Sequence, residues 1–335
     1  MHNPYIEVWF SDFLLFPYSF IDDLSTEQWK TFERSAIYFI LKTDKKRIRE
    51  CIIHNDHITI EYENTKTKQT HSISNLGLFN FNIPKEHINI KITSGSYIEI
   101  SITPKGIEYL QTNCPDAIET YGSNISQKFA LYDLIMLSEQ DRPTVDSYSI
   151  QYIGKSKDVH GRLVNHETIQ KITRDIENDD PDSDIMILVY HLSAKLHKNL
   201  TFLNNLANLC TSNSDWPQVS PSSGILQTSD ILSATEALLI QFFCPKYNKD
   251  YKNTLPGKTH KVFATLSQHG INDLHIGLHL HLQGDITLNL STDTVSTDSK
   301  KMLIFSYPIH SLSQVNPEKI KVEKVEDWKY YLLQM

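Results

Sequence analysis

The stretch Tyr152-Ile153-Gly154-Lys155-Ser156-Lys157-Asp158, followed by Val159-His160-Gly161-Arg162-Leu163-Val164-Asn165-His166, decides how the middle of this chain is interpreted. An apolar strand ends there and a helix begins, with Asp158 as the predicted N-cap. Arg162 and His166 are expected on one helical face, and Lys155 and Lys157 in the turn before it. Cations beside a helix N-terminus predict an anion site, with a phosphodiester as the expected anion. The alternative is an ordinary amphipathic helix with a charged surface.

A second group of residues lies on a predicted helix from Ser229 to Phe243. Glu236 falls on the same stripe as apolar residues, so its carboxylate is expected to face the interior. An unpaired buried carboxylate is costly, and either a basic side chain or a hard metal ion such as Mg²⁺ would relieve that cost. The alternative is a helix edge from which Glu236 reaches solvent. Pro245 ends this helix, and Asn248 follows it.

These two groups of residues resemble the GIY-YIG nuclease superfamily. In this chain Arg162 follows the tyrosine of Tyr152-Ile153-Gly154 by ten residues, and His166 follows Arg162 by four, as in that superfamily. The superfamily also carries a metal-binding glutamate on a late helix, followed by a proline and an asparagine. Glu236 and Asn248 stand at the corresponding places.

The first strand of the superfamily carries Gly-Ile-Tyr, and the match chosen here is Ala130-Leu131-Tyr132, within a predicted strand over Phe129–Leu137. Alanine replaces the glycine, and Tyr132 precedes Tyr152 by 20 residues. An extended turn from Ser138 to Ser147 would absorb that length. An insertion around Leu192–Gln227 would account for the long gap before the glutamate.

The chain as a whole predicts an α+β fold in three parts. A capping box at Ser25–Gln28 and apolar residues at helical spacing predict a helix over 25–42, and alternating isoleucines downstream predict strands. We expect an N-terminal α+β domain (1–122) with a recognition or regulatory role and a GIY-YIG-like domain (123–256) with a small antiparallel sheet flanked by helices. A β-rich C-terminal domain (257–335) follows. The boundaries fall near Gly122-Ser123-Asn124 and Pro256-Gly257, and the acidic run Asp175–Asp184 is interpreted as a solvated loop.

Composition limits the function classes that remain. The 335 residues carry a net charge of −8, so nucleic acid would have to be met by a local basic patch. Neither G-x-G-x-x-G nor a P-loop motif occurs, which removes the main support for dinucleotide and P-loop sites. Four widely spaced cysteines favour a reducing compartment, and the opening apolar run Val8–Phe20 is too short to span a bilayer. We therefore expect a cytoplasmic protein with no membrane partner.

Three histidines, His275, His279 and His281, alternate with apolar residues and share one face of a predicted strand. Such a face could bind a metal ion, but a solvated strand face is the favoured interpretation.

The resemblance implies a metal-dependent endonuclease that hydrolyses phosphodiester bonds of nucleic acid, with DNA expected ahead of RNA. Glu236 would hold one Mg²⁺ or Mn²⁺ ion, Arg162 would neutralise charge on the phosphoryl group, and His166 would orient or share protons. Tyr152 or Tyr132 would help to take the proton from water, which requires a lowered pKa because a phenol normally titrates near 10.

Four further residues are expected to contact the substrate or to support the site: Gly154, Lys155, Lys157 and Asn248. Two other functions remain open. One is a catalytically decayed module that binds nucleic acid or recruits a partner, favoured by the acidic net charge and the missing first glycine. The other is a restriction or phage-defence effector that stays inactive until a protein partner or modified substrate arrives. A homo-oligomer is a further expectation.

Overall fold

The structure, a computed structural model, describes residues 5–30, 32, 36–54, 57–76, 83–93, 95–122, 125–138, 147–197, 228–252, 261–268, 271, 273–280, 287–297, 302–308 and 321–325. The strands are β1 (Tyr5–Pro17), β2 (Ala36–Asp44), β3 (Lys46–Ile53), β4 (Ile58–Asn64), β5 (Thr70–Leu76), β6 (Ile88–Thr93), β7 (Tyr97–Ile102), β8 (Ser126–Ala130), β9 (Ser147–Ser156), β10 (Ser183–His197), β11 (Asp273–His279), β12 (Asn289–Ser291), β13 (Met302–Pro308) and β14 (Lys321–Val325). The α-helices are α1 (Thr26–Lys30), α2 (Pro104–Asn113), α3 (Pro115–Tyr121), α4 (Leu131–Leu137), α5 (Val159–Val164), α6 (Glu167–Asp179), α7 (Thr228–Phe243) and α8 (Lys261–Gln268). The fold is therefore α+β, as predicted.

Two compact units are formed by the described residues. Unit 1 draws on the segments Met1–Thr43, Val145–Asp175 and Ile185–Met335, and unit 2 on Asp44–Thr144 and Ile176–Asp184. These units differ from the three consecutive domains expected at 1–122, 123–256 and 257–335, because the main sheet of unit 1 takes strands from all three stretches. The expected boundary residues Ser123, Asn124, Pro256 and Gly257 lie outside the described residues.

Unit 1 is built on a mixed sheet of eight strands in the order β12-β9-β2-β10-β1-β11-β13-β14. Strand β9 pairs antiparallel with β2, and β1 pairs antiparallel with β10 but parallel with β11. Helix α7 packs against β9. Strands β2 and β9 lie far apart in the chain, yet this sheet places them side by side.

The helix predicted over 25–42 is wrong for most of its length. The capping box does form: Gln28 donates its backbone N–H to Ser25 Oγ at 3.3 Å, and the Ser25 N–H donates to Gln28 Oε1 at 2.8 Å. Helix α1 nevertheless ends at Lys30, and β2 begins at Ala36. Every residue over 36–41 is fully buried, and a strand buried on both faces shows no alternation of polar and apolar residues. That apolar run therefore matched a helical period by coincidence.

Unit 2 contains two sheets of three strands, β3-β4-β5 and β6-β7-β8. The predicted strand alternation is confirmed in β4 and β7, where one face supplies the core. Helix α4 adds Leu131, Leu134 and Ile135 to the same core. The strand predicted over Phe129–Leu137 is wrong, because β8 ends at Ala130 and these core residues have the spacing of a helix.

Two other expectations are modified by the structure. The acidic run Asp175–Asp184 is not a solvated loop, because α6 extends to Asp179 and β10 begins at Ser183. The expected insertion falls on residues 192–227, of which 198–227 lie outside the described part of the chain. Among the described helices, none has the length and apolar character needed to cross a membrane.

Candidate active site

Two tyrosines on adjacent strands form the base of the candidate site. Tyr38 of β2 lies directly opposite Gly154 of β9, and Ile40 lies opposite Tyr152. The rings of Tyr38 and Tyr152 have centroids 6.1 Å apart. A Cβ atom at Gly154 would lie 2.5 Å from the Tyr38 ring and hydroxyl, so glycine is required for this tyrosine to pack across the strand.

Arg162 approaches the tyrosine pair from helix α5. The predicted N-cap is confirmed, because Asp158 Oδ1 accepts the backbone N–H of Gly161 at 2.9 Å and so fixes the start of this helix. Arg162 is exposed, and its guanidinium lowers the pKa of both Tyr38 and Tyr152. The Tyr38 hydroxyl is buried and makes no hydrogen bond of good geometry. Arg162 is thus the cation that faces the two phenols.

Glu236 of helix α7 supplies the carboxylate. Its side chain is only 14% exposed, in agreement with the inward orientation predicted from its helical stripe. Lys155 Nζ lies 2.9 Å from Glu236 Oε2 and donates a hydrogen bond to Ser233 Oγ at 2.8 Å, one helical turn earlier. Burial raises the pKa of Glu236, while Lys155 and, to a lesser extent, Arg162 lower it. Desolvation therefore outweighs the attraction of the two cations.

Both tyrosines are biased toward the neutral phenol. Burial raises the pKa of Tyr38 well above its ordinary value, and the Tyr152 phenol adds to this rise. Burial also raises the pKa of Tyr152, and the negative charge of Glu236 raises it further. Arg162 opposes both shifts without reversing them. The shift is opposite to the one a tyrosine needs to act as a general base, so each phenol keeps its proton and can donate it to an acceptor.

His166 is not on the helical face predicted for it. Helix α5 ends at Val164, and His166 instead precedes α6, where its Nδ1 accepts the backbone N–H of Thr168 at 3.1 Å. The ring meets the Tyr152 ring nearly edge to face, with centroids 5.4 Å apart. Its Nε2 is buried without a hydrogen-bond partner. Burial lowers the pKa of His166, and Arg162 lowers it further.

Asn248 acts on the backbone of β9. Its Oδ1 accepts the N–H of Ile153 at 2.9 Å, and its Nδ2 donates to the Ile153 carbonyl at 2.8 Å. Asn248 is buried, and Tyr247 continues the same pairing by donating its N–H to the Gln151 carbonyl at 3.0 Å. Both ends of the Asn248 amide therefore bind the backbone of Ile153, and the residue supports the strand that carries Tyr152.

Two further predicted site residues are Tyr132 and Lys157. Tyr132 belongs to unit 2, where its hydroxyl donates to Asp184 Oδ2 at 2.8 Å. Lys157 belongs to unit 1 and is exposed, beyond the end of β9. The second tyrosine of the cluster is Tyr38, which the sequence prediction missed. The signal that could have found it is Ala36-Ile37-Tyr38, which is closer to Gly-Ile-Tyr than the stretch chosen at 130–132.

The residues present suit a divalent ion only in part. Within the described residues no three His, Cys, Asp or Glu side chains converge as metal ligands. Mg²⁺ commonly binds through one or two carboxylates together with water and substrate phosphate, which the largely buried Glu236 carboxylate could satisfy. Lys155 already neutralises Glu236 Oε2. Of the three histidines predicted to share a strand face, His275 contacts Ser306 Oγ at 3.0 Å and His281 lies outside the described residues.

Comparison with known proteins finds no match to this chain. No protein-family model, no curated protein and no solved structure matches this chain. The chemistry of the site therefore rests on its own side chains: one desolvated carboxylate, two cations, two neutral phenols and a buried imidazole. Such a set can bind a phosphate group, donate hydrogen bonds to it and hold one cation beside it.

Proposed function

We propose that the chain is a metal-dependent endonuclease that hydrolyses phosphodiester bonds of nucleic acid, with DNA as the first substrate to test. The observation that carries this proposal is the convergence of Glu236 and Arg162, far apart in sequence, on the Tyr38–Tyr152 pair. Both charged groups act on both phenols, and Arg162 acts on Glu236. An acid, a guanidinium and phenol donors in one place are the groups that phosphodiester hydrolysis needs.

The pairing of β2 and β9 supports the resemblance to the GIY-YIG superfamily. With Ala36-Ile37-Tyr38 as the first motif, the two motif strands are direct neighbours in an antiparallel pair. Tyr38 and the glycine of Tyr152-Ile153-Gly154 are then cross-strand partners, and a side chain at Gly154 would collide with Tyr38. The packing of Tyr38 in the first motif therefore explains why the second motif has a glycine at position 154. Alanine still stands where the superfamily has its first glycine.

In the proposed reaction Arg162 binds the phosphoryl oxygens and neutralises the charge that grows on them. Lys155 lies beside the carboxylate and can turn toward a phosphate oxygen, since its side chain is 35% exposed. Tyr152, as a neutral phenol, orients the attacking water or donates to a phosphate oxygen. Glu236 is the residue that would hold Mg²⁺ or Mn²⁺, which would supply Lewis-acid stabilisation of the departing oxygen. Asn248 keeps the strand carrying Tyr152 in place.

The test is cleavage of labelled single- and double-stranded DNA and RNA by the purified full chain, with Mg²⁺, Mn²⁺ or a chelator. Wild type should cut only with metal, and Glu236→Gln and Arg162→Ala should not cut. Glu167→Gln and Arg174→Ala are matched controls, because both residues are exposed on α6, and they should retain activity. Identical products from wild type and Glu236→Gln would exclude the proposed role of this carboxylate.

A second function is favoured by one feature of the same site. Lys155 already pairs with Glu236, and both tyrosines have raised pKa values, as expected of a decayed catalytic core that binds nucleic acid or a partner without cutting. Binding that is insensitive to chelator, with no product under any metal condition, would select this function. Cleavage that appears only with a partner protein or modified DNA would instead select a restriction or phage-defence effector.

A further inference from the structure

His166 has one ring nitrogen committed to the backbone. Its Nδ1 accepts the N–H of Thr168 at 3.1 Å at the start of α6, while its own carbonyl accepts the N–H of Ile169 at 3.0 Å. A neutral imidazole has one acceptor nitrogen and one N–H donor. Because the backbone amide can only donate, Nδ1 must be the acceptor and the ring hydrogen must lie on Nε2.

The opposite ring nitrogen has no protein partner. Nε2 of His166 is buried and makes no hydrogen bond, although a buried donor without an acceptor is costly. The ring lies nearly edge to face against Tyr152, the tyrosine of the second motif strand. The ring is held neutral by its surroundings, because burial and Arg162 lower the pKa of His166 while Glu167 opposes them. The groups that influence it therefore come from β9, α5 and α6.

We propose that His166 is a positioning residue. Its imidazole, fixed as the Nε2–H tautomer, holds the Tyr152 ring in place and exchanges no proton during the reaction. This role rests on the proposed nuclease function, whereas the tautomer does not. A general base would need a free lone pair, and the lone pair of His166 is used by the Thr168 N–H. His166 thus joins the start of α6 to the tyrosine of β9, and its remaining N–H is available to an acceptor near Tyr152.

Two substitutions separate the two nitrogens. His166→Asn keeps an acceptor near the position of Nδ1, and asparagine is a good N-cap, so the start of α6 should survive while the Nε2–H is lost. His166→Gln keeps an N–H near the position of Nε2 but loses the cap. We expect His166→Asn to melt close to wild type and to cleave about tenfold more slowly, because asparagine does not reach the Tyr152 ring as the imidazole does. His166→Gln should melt lower and retain more activity than His166→Asn.

The deciding measurement is ¹⁵N NMR of the full chain labelled at histidine, with the His166 signals assigned by their absence from His166→Asn. The expected result is a protonated Nε2 and an unprotonated Nδ1 from pH 6 to 8. A hydrogen on Nδ1, or an imidazolium in that range, would overturn the proposal. The proposal would also be overturned if the pH–rate profile of wild type showed an ionisation that is missing from the profile of His166→Asn, because His166 would then exchange a proton. If wild type proves inactive, the nuclease function fails separately. The tautomer and a shift of the Tyr152 ring signals in His166→Asn then still test the positioning role.

Discussion

Replacing Asn248 by alanine should destabilise unit 1 by about 3 kcal/mol. The substitution removes two hydrogen bonds, of 2.9 and 2.8 Å, between the Asn248 amide and the backbone of Ile153. Ile153 is fully buried, so water cannot replace the lost partners. Each buried backbone group left unsatisfied costs roughly 1–3 kcal/mol, which gives a loss of about 2–6 kcal/mol in all.

The loss should be measured by thermal and urea unfolding followed by tryptophan fluorescence. This signal reports unit 1, because no tryptophan occurs in the segments that form unit 2. At roughly 2–4 °C per kcal/mol for a domain of this size, the midpoint should fall by about 6–12 °C. Asn165→Ala is the matched control, since that asparagine donates to the Gly161 carbonyl at 3.0 Å but is exposed to solvent. Its midpoint should change little.

Asn248→Asp gives a sharper version of this experiment. The aspartate can still accept the Ile153 N–H, but only its protonated form can donate to the Ile153 carbonyl. Because folding then favours the protonated form, the pKa of this aspartate should be raised in the folded protein. The stabilisation by protonation should be complete below the ordinary aspartate pKa and should be lost as the pH rises through the raised pKa of the folded state. The reasoning is refuted if Asn248→Ala unfolds like Asn165→Ala, or if Asn248→Asp gains nothing over Asn248→Ala in acid.

Three further outcomes are expected. Because burial raises the pKa of Glu236, the charged carboxylate favours unfolding, and wild type should lose stability as the pH rises through that pKa. Melts from pH 4.5 to 8 should show the stability of Glu236→Gln rising relative to wild type as the pH rises, and the opposite trend would show that pairing with Lys155 outweighs burial. Gly154→Ala should lower the melting midpoint by the equivalent of about 1–3 kcal/mol, because its Cβ would lie 2.5 Å from Tyr38. Burial raises the pKa of Asp133 to about 6, so raising the pH from 4 to 6 should destabilise unit 2 by roughly 2 kcal/mol. Urea unfolding followed by circular dichroism should show no such loss in Asp133→Asn.

The parts of the site that sequence could predict are those fixed by local chemistry. Asp158 is an N-cap because a carboxylate can accept the backbone N–H groups at a helix start, whatever the rest of the fold. Glu236 is largely buried because it shares a helical stripe with apolar residues. In both cases the deciding partners lie within a few residues. The same local reasoning placed the strand of Tyr152.

The parts that sequence missed depend on contacts between distant segments. Strand β2 is buried on both faces, so its residues carry no period, and the helix start at Ser25 made a continued helix the natural interpretation. Without that strand Tyr38 is not a candidate, and Ala130-Leu131-Tyr132 becomes the match to Gly-Ile-Tyr. His166 was misplaced for a different reason: α5 ends after six residues, and its C-cap Asn165 is followed at once by the start of α6.

The proposed polyanionic substrate would have to bind to a chain that is acidic overall. The chain carries a net charge of −8, yet at this site two cations, Lys155 and Arg162, act on the single carboxylate of Glu236. Phosphate attraction depends on the charges within about 10 Å at ordinary ionic strength, so the charges nearest the phosphate matter more than the total. Glu236→Gln removes one negative charge from that region. Loss of cleavage in this variant together with tighter nucleic-acid binding would therefore separate the catalytic role of the carboxylate from recognition, because the same substitution strengthens one and removes the other.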